Sequence, residues 1–275
     1  MKRLYIILAV VILVTGYKFF NNYTGIYSPK TEDGIQQDNV IIPSLELSSY
    51  EDSYNKTTGG IALVDLSHEN SFEPDELNIL IKRILARNYT VKYLRNKSEM
   101  NETLKTANTF IIISPNEQFS EEEINLVEDF HRDDGNLMLV DDPARKSKIN
   151  LLSMSFGIIF NRDYLYNNVA NDGNYRYVIF TDFNEDDLTK GLSKVSFYVA
   201  ESISGTMLIK SDTDTYSSLG TKEIFSPVVK NGRTLAIGDI TFLTPPYNTI
   251  YDNNKLVSNI ADFITNSSKI TLPGE

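Results

Sequence analysis

The sequence predicts an α/β domain built on a doubly wound, mainly parallel sheet and preceded by a transmembrane helix. Three observations predict it. Short apolar runs closed by polar residues recur at Gly60–Asp65, Thr109–Ile113 and Leu137–Val140, and such runs read as strands buried on both faces. Segments of helical spacing lie between them. Strand and helix in strict turn give a parallel sheet with right-handed crossovers and helices on both faces.

The first strand, Gly60 to Asp65, is followed by the polar crest Leu66-Ser67-His68-Glu69-Asn70. Pro74 then opens a helix with Leu77, Leu80, Ile81, Ile84 and Leu85 on one face, ending near Asn88. Tyr89–Leu94 is a strand, Glu99–Ala107 a short helix, and Thr109–Ile113 a strand closed by Ser114-Pro115-Asn116. Ser120 and Glu123 form a capping box, with Ile124, Val127 and Phe130 on the apolar face and Gly135 as the stop. The strand Leu137–Val140 ends at Asp141-Asp142-Pro143.

The second half is less regular. A helix is expected over Lys148–Phe156, a polar aromatic segment from Asn161 to about Tyr175, and strands at Tyr177–Phe180, Val195–Ile203 and Met207–Lys210. Asn231-Gly232 between apolar runs signals a hairpin. Leu235–Asp239 is a buried strand with an acidic end, and Leu256, Val257, Ile260, Phe263 and Ile264 form the apolar face of a closing helix.

The chain has 275 residues, 41% hydrophobic, with net charge -11, which excludes a nucleic-acid binder. It has no Cys, so thiol nucleophiles, Cys-ligated zinc and disulfides are excluded. Met1-Lys2-Arg3 precedes an apolar run that reaches Phe20. Residues 4–20 are read as an uncleaved membrane anchor, with Tyr17, Phe19 and Phe20 as an aromatic belt; a signal peptide cut after Val14-Thr15-Gly16 is the competing reading. In both, the basic end stays in the cytoplasm and the rest is extracytoplasmic. The domain plan is therefore an anchor at 1–20, a polar linker at 21–59 and an α/β domain at 60–275. Sequons at Asn22, Asn55, Asn88, Asn96, Asn101 and Asn266 acquire meaning only with that topology.

Asp65-x-x-His68-x-Asn70, Ile112-Ile113-Ser114-Pro115, Ser120-x-Glu122-Glu123, Gly135-Asn136-Leu137, Asp142-Pro143-x-Arg145 and Gly238-Asp239-x-x-Phe242-Leu243 occur in that order. So arranged, and with Leu188-Thr189-x-Gly191-Leu192, they resemble an uncharacterised membrane-anchored domain family. That family is related to glutamine amidotransferase-like sheets and to auxiliary subunits of gliding-type ABC transporters. The resemblance implies a flavodoxin-like, glutamine amidotransferase-like fold and carries no assigned reaction. Glutamine hydrolysis is excluded because the Cys nucleophile is missing, and no Gly-x-Ser-x-Gly elbow replaces it.

Ligands of open α/β sheets sit beyond the carboxyl ends of the strands. There the sequence places the ligand or partner crest Asp65, His68, Asn70, Asp142, Arg145 and Asp239, with Asp141 beside them. Two readings of the crest are possible. In one, Arg145 pairs with Asp142 or Asp239 in a neutralised network that recognises a polar ligand or protein partner. The Tyr164–Tyr177 segment and Pro245-Pro246-Tyr247 would then form its walls. In the other, Asp65, His68 and Asp239 hold a divalent cation for a metal-assisted hydrolase. The expectation is a membrane-tethered, extracytoplasmic, non-catalytic binding or scaffolding module without a cofactor, an accessory of a transport or cell-envelope complex. His131, beside Arg132 and Asp133, is expected at the surface near a helix C-terminus.

Overall fold

The computed structural model describes residues 50–54 and 57–269. The expected anchor at 4–20, the possible cleavage site and most of the expected linker lie outside them. Among the described residues no helix is long and apolar enough to cross a membrane.

Four strands and three helices alternate as expected. They are β1 (Gly60–Asp65), α1 (Asn78–Ala86), β2 (Tyr89–Leu94), α2 (Met100–Thr106), β3 (Thr109–Ile113), α3 (Glu121–Arg132) and β4 (Asn136–Val140). A 3-10 turn, Pro74–Leu77, leads into α1. The capping box of α3 is formed: Ser120 Oγ accepts from Glu123 N at 3.3 Å, and Glu123 Oε2 accepts from Ser120 N at 2.7 Å.

The rest of the chain adds α4 (Asn150–Ser153) and the short strands β5 (Ile159–Phe160), β6 (Leu165–Asn167), β7 (Tyr177–Phe180) and β8 (Asp182–Phe183). It continues through β9 (Val195–Tyr198), β10 (Ile203–Ser204), β11 (Met207–Lys210), β12 (Thr215–Ser217), β13 (Val228–Asn231), β14 (Thr234–Ile237) and α5 (Asn253–Thr265). The main sheet has the order β2-β1-β3-β4-β14-β13-β11-β8. From β2 to β14 neighbours are parallel; β13, β11 and β8 then pair antiparallel.

Side chains alternate across this sheet and build a core on each face. Ala62, Val64, Ile111, Ile113, Met138 and Val140 meet α1 and α5 through Leu80, Ile84, Leu256 and Ile260. Leu63, Phe110, Ile112, Leu137 and Leu139 meet α2, α3 and α4 through Leu104, Val127, Phe130 and Leu152. With helices on both faces, the carboxyl ends of the parallel strands are the part of the central sheet that the helices leave uncovered.

Four expectations need correction. Val195–Ile203 is not one strand: Val199 has φ 65°, a conformation rarely open to a β-branched residue, and the chain turns between β9 and β10. The hairpin turn falls one residue later than expected, on Gly232-Arg233, because Asn231 pairs with Thr234. Gly232 takes φ 58° there. His131 lies in the last turn of α3 as expected, but it is half-buried there and not a free surface residue. Its ring stands edge-on to Phe156 at 5.1 Å, and its carbonyl accepts from Arg233 Nη2 at 2.7 Å. Burial, then Arg233, holds its imidazole below the usual value.

The fourth correction concerns the described residues that precede β1. The expected linker reached Gly59, yet Tyr50–Tyr54 packs on α1 and α5. Arg87, with no exposed surface, is the anchor. Its Nη1 and Nη2 each donate to Asp52 at 3.1 Å, Nε donates to Asp262 at 2.6 Å and Nη2 to Ser258 Oγ at 2.9 Å. Tyr54 stacks over the guanidinium at 4.8 Å. Removing one partner of such a pair leaves the others unmatched, so Arg87→Ala should lower the unfolding free energy by about 2–4 kcal/mol. Urea unfolding checks this, and a loss within error would mean that solvent already screens the cluster.

Candidate functional site

At the end of β1, Asp65 and His68 are fully buried. Asp65 Oδ1 accepts from the backbone and hydroxyl of Ser67 at 3.0 and 2.7 Å, and Oδ2 lies 2.9 Å from His68 Nδ1. The imidazole stacks on Phe119 with centroids 3.7 Å apart. Its Nε2 makes no hydrogen bond and faces Glu123 Oε1 at 3.6 Å. Asn70 ties this loop to its neighbour, accepting from His68 N at 3.2 Å and donating to the Ile113 carbonyl at 2.9 Å. These residues brace two strand-end loops against each other.

The second group lies at the ends of β4 and β14. Arg145 is held mainly by Glu76, a partner the sequence did not indicate. Nη1 donates to Glu76 Oε2 at 2.9 Å, Nη2 to Oε1 at 2.5 Å, and Nη1 also to the Ser71 carbonyl at 2.6 Å. Asp142 is 3.9 Å from Arg145 Nε. Burial alone would raise the Glu76 carboxyl, but the bonds from Arg145 and Glu73 outweigh it and hold it below the usual range. Asp239 is wholly buried; Oδ2 accepts from Tyr198 N at 2.7 Å and Oδ1 from Thr241 N at 2.6 Å. Burial and then Asp142 push it up to about 7. Among the described residues no group of three or more His, Asp or Glu side chains is placed to hold a metal ion.

Sequence reasoning missed Glu201, in the turn between β9 and β10. It is 1% exposed, accepts from Arg162 N through Oε2 at 2.9 Å, and has no partner for Oε1. Burial, then the Asp141 charge, push it up to about 9. Asp141, held by Ser114 Oγ at 3.0 Å, is raised by burial to about 6. Gly238 makes this possible: a Cβ there would lie 2.4 Å from the Glu201 carbonyl oxygen and 3.0 Å from its Cγ. A glycine closing a buried strand was the available signal. Asp141, Asp142 and Glu201 line a cleft of about 360 Å³ together with Lys146, Lys148 and Arg162, which are exposed.

The expected walls are aromatic. Tyr166 on β6 stacks on Tyr216 of β12 with centroids 5.4 Å apart, and Arg176 lies 4.7 Å over Tyr164 and 5.2 Å over Tyr175. Tyr247 packs against Tyr198 at 4.3 Å.

Raised acids set a pH dependence. Unfolded carboxyls titrate near 4, whereas Asp141, Asp239 and Glu201 keep their protons to about 6, 7 and 9. The folded state therefore binds more protons over that window. Its contribution to stability is complete below about 4 and is lost as pH rises through the folded values. Urea midpoints should fall from pH 5 to pH 9, and Glu201→Gln should recover about 1–3 kcal/mol at pH 9. An identical slope in the variant would show that Glu201 is already ionised.

Residues 61–179 match the IFT52 GIFT domain family. No curated protein matches the chain by sequence. Among solved structures, the mmIFT52 N-terminal domain is 14% identical with TM-score 0.60, covering 77% of this chain and 100% of that chain. A ThuA-like protein from Bacteroides uniformis is 14% identical with TM-score 0.48, covering 78% of this chain and 95% of that one. The likeness to the mmIFT52 N-terminal domain concerns the fold alone, a mixed α/β architecture with a large, parallel-rich sheet.

Proposed function

We propose that this chain is a non-catalytic binding or scaffolding module. In this reading it is tethered to a membrane through residues 4–20, with the domain extracytoplasmic, as an accessory of a transport or cell-envelope complex. The observation that carries the non-catalytic part is how the candidate acids and base are used. Asp65 is bound by Ser67 and His68, Asp239 by two backbone N–H groups, and Arg145 by Glu76. Groups committed to structural hydrogen bonds in a buried setting are poor proton carriers for a substrate. The aromatic ladder on β6 and β12 supports recognition, since Tyr offers rigid amphipathic area at low entropic cost.

The second reading, a metal-assisted hydrolase, rests on the shared edge occupied by Asp65, His68 and Asp239. Elemental analysis of the purified full chain separates the two. The expected result is no stoichiometric metal and no turnover of ester, glycoside or phosphomonoester substrates with added divalent ions. A metal bound one to one and lost in Asp65→Ala or Asp239→Ala would favour the hydrolase.

The tether has its own test. Protease added to intact cells should remove the domain and leave a small anchored fragment. Protection until lysis would overturn the orientation and leave the sequons without meaning.

A further inference from the structure

We propose that the cleft between the β4 end and the β9–β10 turn binds an aminoalkyl phosphate, its ammonium on Glu201 and Asp141 and its phosphate toward Lys146, Lys148 and Arg162. The proposal deepens the binding-module reading and rests on it, since the ligand is held without being transformed.

The floor of the cleft is short of positive charge. Asp141, Asp142 and Glu201 form it, with Asp163 and Asp239 close behind. Asp163 is served by Ser202 and Ser217, and Asp239 by backbone N–H groups. Of the two arginines lining the cleft, Arg145 is taken by Glu76, and Arg162 donates to the Ser147 carbonyl. Glu201 Oε1 is therefore left as a buried polar atom with no partner, on a side chain 1% exposed that lines the cleft. Buried polar atoms are nearly always paired, so an orphan of this kind points to a missing partner. Gly238 shows that the position is accommodated by the backbone, since any Cβ there would meet Glu201.

An ammonium supplies what the floor lacks, three donors and a positive charge. A divalent ion does not fit as well, because no three acidic or imidazole groups among the described residues are placed to coordinate one. The rim has the opposite character. Lys146, Lys148 and Arg162 are exposed cations around the mouth, and three of them match a phosphate better than a single carboxylate. A cleft of about 360 Å³ is at the small end of ligand sites, sized for a compact zwitterion. Burial and the neighbouring acids Asp141, Asp163 and Asp142 hold the free Glu201 carboxyl protonated, with the Arg162 backbone N–H working the other way. An arriving ammonium favours the ionised form, so binding releases a proton to solvent.

Titration calorimetry of the full chain in detergent at pH 7.5 tests this with phosphoethanolamine, phosphocholine, ethanolamine and inorganic phosphate. Phosphoethanolamine should bind at least tenfold more tightly than the other three, because phosphocholine has no N–H and the last two carry charge of only one sign. Buffers of different ionisation heat should reveal proton release. Glu201→Gln should weaken phosphoethanolamine at least tenfold and abolish the release while its thermal melt is retained. Lys148→Ala should weaken phosphoethanolamine and leave ethanolamine unchanged. The source of the headgroup is read by displacement: short-chain phosphatidylethanolamine competing where phosphatidylcholine does not assigns a lipid, and its failure to compete assigns the free ester. No binding of phosphoethanolamine, equal binding of phosphocholine, or undiminished binding by a folded Glu201→Gln overturns the proposal. Chemical conversion of bound phosphoethanolamine would instead overturn the non-catalytic reading and leave the site standing.

Discussion

Five adjacent strands of the sheet, β2, β1, β3, β4 and β14, run in the same direction, so whatever closes them is gathered along one edge. In this chain the closing residues are acids and small polar groups: Asp65, Ser114, Asp141, Asp142 and Asp239. Each is buried. Parallel strands thus turn a local habit, a polar residue at the end of an apolar run, into a collective electrostatic problem. Most of the contacts around the edge are answers to it. Ser67 and His68 serve Asp65, Ser114 serves Asp141, and backbone N–H groups serve Asp239.

What was legible in the sequence follows from interaction range. The capping box of Ser120 and Glu123 depends on residues three apart and forms as read. The alternating strands and helices from β1 to β4 depend on apolar period and length, and they too appear where the pattern puts them. Contacts between distant residues were not legible. Glu76 as the partner of Arg145 joins positions 69 apart, and Asp52 on Arg87 joins positions 35 apart. Nothing local distinguishes either acid from its exposed neighbours. In the structure the crest set Asp65, His68, Asn70, Asp142, Arg145 and Asp239 divides into a β1 cluster around His68 and a β4–β14 cluster around Arg145.

Glu201 was hidden for a different reason. Val195 to Ile203 reads as one extended run, in which a Glu looks like a solvent-facing alternate residue. The break at Val199, with φ 65°, swings Glu201 inward. A β-branched residue does not take that conformation unaided, so the cause is tertiary: Tyr198 N is captured by Asp239 and Glu201 N by the Gly238 carbonyl at 2.8 Å. The end of β14 pulls the chain off its strand path. Gly238-Asp239 therefore acts twice, once as a strand end and once as the template for a turn forty residues earlier in the chain.

The two polar clusters differ in whether they are complete. Around Arg145 both terminal nitrogens donate to Glu76, and the depressed Glu76 carboxyl records a charge that is stabilised where it stands. Around Glu201 the balance fails: one oxygen is bonded, the other is orphaned, and neighbouring Asp141 and Asp142 share its low-dielectric setting. Folding alone gains nothing from such an arrangement, since a Gln or an apolar residue of similar volume would avoid the repulsion. Buried acids kept in that condition beside a cleft are characteristic of sites whose missing partner arrives from outside. The closed cluster gives the edge its rigidity, and the open one gives it a direction of approach.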